Sequence, residues 1–334
     1  MIWINFLISI LIIFYSGRKL STYGDIISDK TGLGGGFVGV ILIGFITSLP
    51  ELITTISSVS LVKDINLAWG NILGSNLLNI TVLAFCDFLI KRGSVFRVFD
   101  NGNILTGLFS IIITAIACIG MITGKDIIFA GNISIYTFIV FFIYIFGSYI
   151  LYRNALHQKD NSPTIQIENS SNHISTPKLA ILFLINAALI VAAGVSITYT
   201  CDQISKITGL GSTFVGSLFL ATATSLPEIV VSVVSIKMGA LNLAIGNIIG
   251  SNFFNITILG LSDFFYRGGS LFTSSDKINL LTSTIFIINT NILLIGMLLK
   301  SKRRFFRLGI DSIFAISLYF ITFYYIYKGI GNAL

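Results

Sequence analysis

The chain has 334 residues, of which 54% are hydrophobic and 10% charged, with a mean hydropathy of +0.91 and a net charge of +7. A soluble protein of this length needs far more charge to cover its surface, so the composition excludes that class and implies many membrane-crossing helices. The positive balance lies in short loops between apolar runs, which is the orientation signal of a membrane protein rather than a nucleic-acid footprint. Cys86, Cys118 and Cys201 show no paired spacing and read as small buried residues.

Ten spans are predicted, near residues 3–20, 37–62, 66–90, 103–122, 129–152, 179–199, 212–236, 241–265, 278–299 and 308–328. The first reads as a true span, because no small-residue cleavage site follows it. The second carries "ITSLPEL" at 46–52, with Glu51 beside Pro50 in an otherwise uncharged apolar run. Proline lacks a backbone N–H and clashes with the carbonyl four residues back, so it releases the carbonyl of Ile46, and Gly44 loosens the same turn. Freed backbone oxygens at membrane depth are tolerated only where they face protein or water. Glu51 lies roughly 21 Å of helix from Phe37, where a carboxylate costs on the order of 3 kcal/mol. Thr47 and Ser48, four and three residues earlier, share its helical face.

The third span holds "GNILGSNLLNITVLAFCDF" at 70–88, with Ser75 and Asn79 four apart on one face. Gly70 and Gly74 form a small-xxx-small pattern suited to close helix approach. Asn71 and Asn76 fit interhelical bridging and support of a site equally well, and Asp87, at a span end, reads as a cap or boundary marker. Spans four and five carry no comparable motif and read as scaffold. Residues 153–178 are the one long polar tract, a solvated linker between halves at 1–152 and 179–334.

After the linker the pattern returns. "GLGSTFVGSLFLATATSLPEI" at 209–229 aligns with residues 32–52, placing Thr224, Ser225, Pro227 and Glu228 where Thr47, Ser48, Pro50 and Glu51 stood. "GNIIGSNFFNITILGLSDF" at 246–264 shares 12 of 19 residues with 70–88, so Ser251, Asn255 and Asp263 match Ser75, Asn79 and Asp87. Five spans per half is an odd number, so the second copy should be inverted relative to the first. Fifteen of the 21 Lys and Arg lie on the side reached after spans 1, 3, 5, 7 and 9, which should therefore be cytoplasmic, with both termini extracellular or periplasmic. Inverted repeats with interrupted helices are a plan of secondary transporters, with ions held at the midplane. Carboxylates, hydroxyls, amide oxygens and freed carbonyls, with no thiolate or imidazole, suit hard cations such as calcium or sodium.

"TSLPE" followed by "GNxxGSNxxN", twice and over nearly the whole chain, resembles the cation/calcium exchanger superfamily, particularly its sodium/calcium exchangers. The resemblance implies an all-α integral membrane fold of ten helices in two inverted five-helix repeats. It also implies ions bound between the second, third, seventh and eighth helices, with the first and sixth sliding across them. The implied ligands are Glu51, Glu228, Thr47, Ser48, Thr224, Ser225, Ser75, Asn79 and Ser251, with the carbonyls of Gly44 and Ala221. Asn255 departs from the pattern, since many sodium/calcium exchangers carry Asp there. The central charge is then −2 from the two glutamates, which balances one calcium ion or two monovalent ions.

The expected function is a calcium/sodium antiporter of the cell or inner membrane, sufficient as a monomer, with no cofactor and no nucleic-acid partner. Proton/calcium exchange or potassium-linked exchange through the same glutamates is the alternative. A hydrolase is disfavoured because the only histidines, His157 and His173, fall in the linker. A channel would be built from several chains, whereas this duplicated core is self-contained.

Overall fold

An apolar run in lipid has no water to satisfy its backbone N–H and C=O groups, so helix is the state these segments demand. The structure is a computed structural model that describes residues 1–31, 45–90, 95, 100–124, 128–130, 133–159, 175–299, 304–305 and 308–329, and it is almost wholly helical. The helices are α1 (Ile2–Thr31), α2 (Leu49–Val62), α3 (Ile65–Phe85), α4 (Asn101–Thr123), α5 (Ile135–Lys159) and α6 (Thr176–Thr208). They continue with α7 (Ser212–Thr224), α8 (Leu226–Lys237), α9 (Leu241–Asp263), α10 (Lys277–Leu299) and α11 (Ile310–Lys328). Among the described residues eight helices are long and apolar enough to cross a membrane, or nine if α7 and α8, bent by 53°, form one span. Of the predicted second span only residues 45–62 are described, and Gly44 lies outside them.

Helix ends follow local chemistry. The Asp64 carboxylate accepts from the backbone N–H of Asn66 and Leu67 at 3.0 Å to open α3, and Asp100 accepts from Asn103 N–H at 2.8 Å to open α4. Gly209, at φ 71°, closes α6 in the left-handed conformation that glycine adopts without strain. Two helices overrun their predicted ends: α1 continues past residue 20 to Thr31, and α6 past 199 to Thr208. Hydrophobicity marks where lipid stops, whereas a helix continues until something breaks it. At 33 residues α6 is roughly 50 Å long, more than the ~30 Å hydrocarbon core, so it tilts or protrudes. α5 reaches Lys159 and α6 starts at Thr176, so both helices run into the polar tract of 153–178; residues 160–174 lie outside the described residues.

The centre belongs to α3 and α9, with 72% and 83% of their apolar windows buried, against 28% for α1, 22% for α5 and 28% for α6. Trp69 of α3 is fully buried beside Phe272 and donates its indole N–H to the Leu271 carbonyl at 3.1 Å. Close crossings are made by glycines. A Cβ on Gly70 would come within 2.6 Å of the Thr213 carbonyl oxygen, so α3 rides directly on the backbone of α7. A Cβ on Gly17 of α1 would meet Pro227 at 2.6 Å, which seats α1 against the first turn of α8.

The predicted scaffold spans share a device after all. Before α5, β1 (Ile128–Ala130) pairs antiparallel with β2 (Ile133–Ser134); before α11, β3 (Arg304–Phe305) pairs with β4 (Leu308–Gly309). Asp263 holds the first of these hairpins: Oδ2 accepts from Ser134 N–H (3.1 Å) and Thr137 Oγ1 (2.5 Å), and Oδ1 accepts from Leu271 N–H (2.7 Å). Asp87 holds the second in the same way, Oδ2 accepting from Gly309 N–H (2.8 Å) and Ser312 Oγ (2.6 Å), and Oδ1 from Val95 N–H (2.5 Å). These aspartates are therefore not boundary caps. Each ties the end of α3 or α9 to the hairpin and helix start of the other half. The sequence carries the signal, because "GSVF" at 93–96 and "GSLF" at 269–272 follow the two aspartates at equal spacing.

Candidate functional site

Both prolines sit second in a new helix, Pro50 in α2 and Pro227 in α8, where a missing N–H leaves no helix bond unmade; neither can donate to the carbonyl four residues back, so the preceding helix cannot run on through it. The chain breaks at Ser48 (φ −87°, ψ 12°) and Ser225 (φ −81°, ψ 3°). Each glutamate thus falls in the first turn of a helix, where unpaired N–H groups and the positive end of the helix dipole favour an anion by about 0.3–1 kcal/mol.

The two breaks serve one another. Ser48 Oγ donates to Glu228 Oε1 at 3.1 Å, and Ser225 Oγ donates to Glu51 Oε1 at 3.0 Å. Ser75 and Thr224 also stand beside the Glu51 carboxylate, and the two glutamates are near enough to repel. Glu51, Glu228, Thr47, Ser48, Thr224, Ser225, Ser75, Ser251 and Asn255 are all 0% exposed, and Asn79 is 1% exposed.

Where α3 crosses α9, four asparagines interlock. Asn76 Nδ2 donates to the Asn252 carbonyl (3.3 Å) and Asn252 Nδ2 to the Asn76 carbonyl (3.2 Å). Asn79 Nδ2 donates to Asn252 Oδ1 (3.0 Å) and Asn255 Nδ2 to Asn76 Oδ1 (2.9 Å). Asn76, whose residue type fits bridging and support of a site equally well, bridges the two helices together with Asn252. Asn71 and Asn247 hold the walls: Asn71 Nδ2 donates to Thr54 and Thr55 hydroxyls, and Asn247 Nδ2 to the Glu228 carbonyl and Ser232.

What remains unbonded is concentrated here. Twelve buried side-chain oxygens among the described residues lack a hydrogen-bond partner, and six of them are Glu51 Oε2, Glu228 Oε2, Ser75 Oγ, Ser251 Oγ, Asn79 Oδ1 and Asn255 Oδ1. Each orphan costs about 1–3 kcal/mol, more when charged, so six on four adjoining helices call for partners from outside the chain, an ion or ordered water. All six are oxygens, two of them carboxylate, which is the donor set of a hard cation. Two predicted contributors are engaged elsewhere. The Ala221 carbonyl accepts from Ser225 N–H (3.0 Å), and the single Thr224 hydroxyl proton is within reach of both that carbonyl and Asn71 Oδ1 (3.3 Å each).

Among proteins of known sequence the chain is similar to the inner membrane protein YrbG of Escherichia coli, 27% identical over 260 residues covering 76% of this chain and 77% of YrbG. It is similar also to the sodium/calcium exchanger MaX1 of Methanosarcina acetivorans, 25% identical over 307 residues covering 80% and 84% of the two chains. In fold it is similar to the crystal structure of the H+/Ca2+ exchanger CAX, with a TM-score of 0.77 at 14% identity, covering 98% of this chain and 85% of CAX. The sodium-calcium exchanger NCX_Mj gives a TM-score of 0.60 at 20% identity, covering 95% of each chain. The family model described as sodium/calcium exchanger protein matches residues 1–153 and 178–328, and over that extent the chain belongs to the sodium/calcium exchanger family.

Proposed function

We propose that this chain is a secondary antiporter that moves calcium across the inner membrane against a sodium gradient. The observation that carries the reading is the set of six unpartnered oxygens around Glu51 and Glu228. Both glutamates serve either ion, so calcium excludes sodium from the same oxygens. Alternating access then converts that competition into exchange. Ser75, Ser251, Asn79 and Asn255 complete the ligand set, Ser48 and Ser225 hold the carboxylates, and Thr47 and Thr224 line the breaks. Two glutamates give a charge of −2, which matches one calcium or two sodium ions. A carbonyl ligand at Ala221 would have to share an oxygen already bonded within its helix, and Gly44 is carried as a ligand by the resemblance alone.

The framework of this reading is ten spans in two inverted five-helix repeats, 1–152 and 179–334, joined by a cytoplasmic linker at 153–178, with both termini outside. Recurrence of the hairpin and the aspartate tie in each half supports the repeat, and the bias of basic residues supports the orientation. A monomer suffices for transport.

The test is calcium uptake into liposomes bearing the purified protein, under imposed sodium, proton or potassium gradients. Uptake driven by sodium alone is expected. Uptake driven by protons and indifferent to sodium would replace the reading with proton/calcium exchange through the same two carboxylates.

A further inference from the structure

Asn79 and Asn255, each one turn along its helix from an unpartnered serine, each leave one end of an amide without a partner, and a cation needs that end to be oxygen. An amide side chain rotated by 180° has nearly the same shape, so packing alone does not decide which end it shows. The asparagine ring does. Asn76 Nδ2 is committed to the Asn252 backbone carbonyl, which can only accept. Asn76 therefore presents Oδ1 to Asn255, and only Asn255 Nδ2 can answer it, at 2.9 Å. That leaves Asn255 Oδ1 for the cluster. The other arm repeats the logic: Asn252 Nδ2 is fixed by the Asn76 carbonyl, Asn252 Oδ1 takes Asn79 Nδ2 at 3.0 Å, and Asn79 Oδ1 is left over.

We propose that Asn76 and Asn252 are positioning residues that, without touching the ion, force Asn255 and Asn79 to present oxygen to it. The inference rests on the reading of Asn79 and Asn255 as ion ligands. Backbone carbonyls anchor the ring at both ends, and a backbone carbonyl has one polarity, so the orientation is set before any ion arrives. Preorganisation of this kind raises affinity by removing the cost of ordering the ligands on binding.

The test is direct calcium binding, by isothermal titration with calcium chloride, to purified folded wild type and variants, with a melting curve for each. Asn76→Leu keeps the branching at Cγ in a bulkier side chain but cannot accept from Asn255, so the amide turns freely and calcium affinity should fall about tenfold. Asn76→Asp keeps an oxygen facing Asn255 Nδ2 while losing the donor to Asn252 and adding a negative charge that favours a cation, so affinity should fall by no more than about threefold from wild type although melting drops. If the leucine variant does not fold, Asn76→Ala removes the same acceptor without a clash and carries the same expectation. Asn289→Ala deletes a buried amide elsewhere, one that bonds the Ala315 carbonyl, and should lower the melting temperature and leave affinity unchanged. Wild type that binds no calcium would overturn the reading of the site itself. Wild type that binds, with Asn76→Leu (or Asn76→Ala) binding as well as Asn76→Asp, would overturn this inference alone.

Discussion

Asp87 and Asp263 are as deeply buried as Glu51 and Glu228, 0% and 1% exposed against 0% and 0%, yet their surroundings differ oxygen by oxygen. Each aspartate is met by at least three donors, at least one on Oδ1 and two on Oδ2, drawn from both halves of the chain. Each glutamate is met by one serine on Oε1, and its Oε2 has no partner. Both pairs occupy matching positions in the two halves, and both carry charge into an apolar medium at a cost. Burial therefore does not distinguish the two pairs; hydrogen-bond completeness does. A satisfied carboxylate ties helices together, and one with an oxygen left over is open to a cation.

The contrast breaks most visibly at the glutamates. Glu51→Gln or Glu228→Gln removes half the charge of the cluster with little change of shape, so sodium-driven calcium uptake should fall about a hundredfold or more, as expected for losing a charge-assisted contact to a buried ion. Melting temperature should hold or rise, since a buried charge has gone. Wild-type uptake in either variant would remove the glutamates from the account.

At the aspartates the pattern should invert. Asn in place of Asp87 or Asp263 must turn an NH2 group against at least one of three donors, at about 1–3 kcal/mol. Asp87→Asn and Asp263→Asn should therefore melt lower, while uptake per folded molecule keeps its calcium KM within about twofold, because no ion contact has been touched. A large KM change with unchanged melting would show that the aspartates belong to the ion path.

The smallest effects sharpen the same distinction among hydroxyls. Ser75→Ala and Ser251→Ala delete orphan oxygens, so stability should be unchanged or raised by up to about 1 kcal/mol, with calcium KM raised roughly fivefold. Ser312→Ala and Thr137→Val delete donors to the aspartates, and should cost about 1 kcal/mol of stability with no change in KM.

The glutamates were legible because a charge beside proline in an apolar run has few explanations, and because it appears twice. The aspartates were misread because a charge near a span end has a ready one, solvent. Their donors lie far along the chain: Gly309 and Ser312 for Asp87, and Ser134 and Thr137 for Asp263. Hairpins with strands of two or three residues leave no alternating pattern to read, and the extensions of α1 and α6 are polar, so hydropathy ends too early. The asparagine ring was visible only as residue types. Which way each amide points is decided by backbone carbonyls of the opposite half, which sequence does not display.

Calcium-induced thermal stabilisation reads both halves of the comparison at once. A ligand that binds only the folded protein raises stability by about 2.7 kcal/mol at a hundred times its Kd, whatever the starting stability. Wild type, Glu51→Gln and Asp87→Asn should be melted in the same detergent with and without calcium. Asp87→Asn should start lower and keep the calcium-induced rise, while Glu51→Gln should start at or above wild type and lose it. A rise retained by Glu51→Gln, or lost by Asp87→Asn, would contradict the claim that unpartnered oxygens, rather than buried charge, mark the ion site.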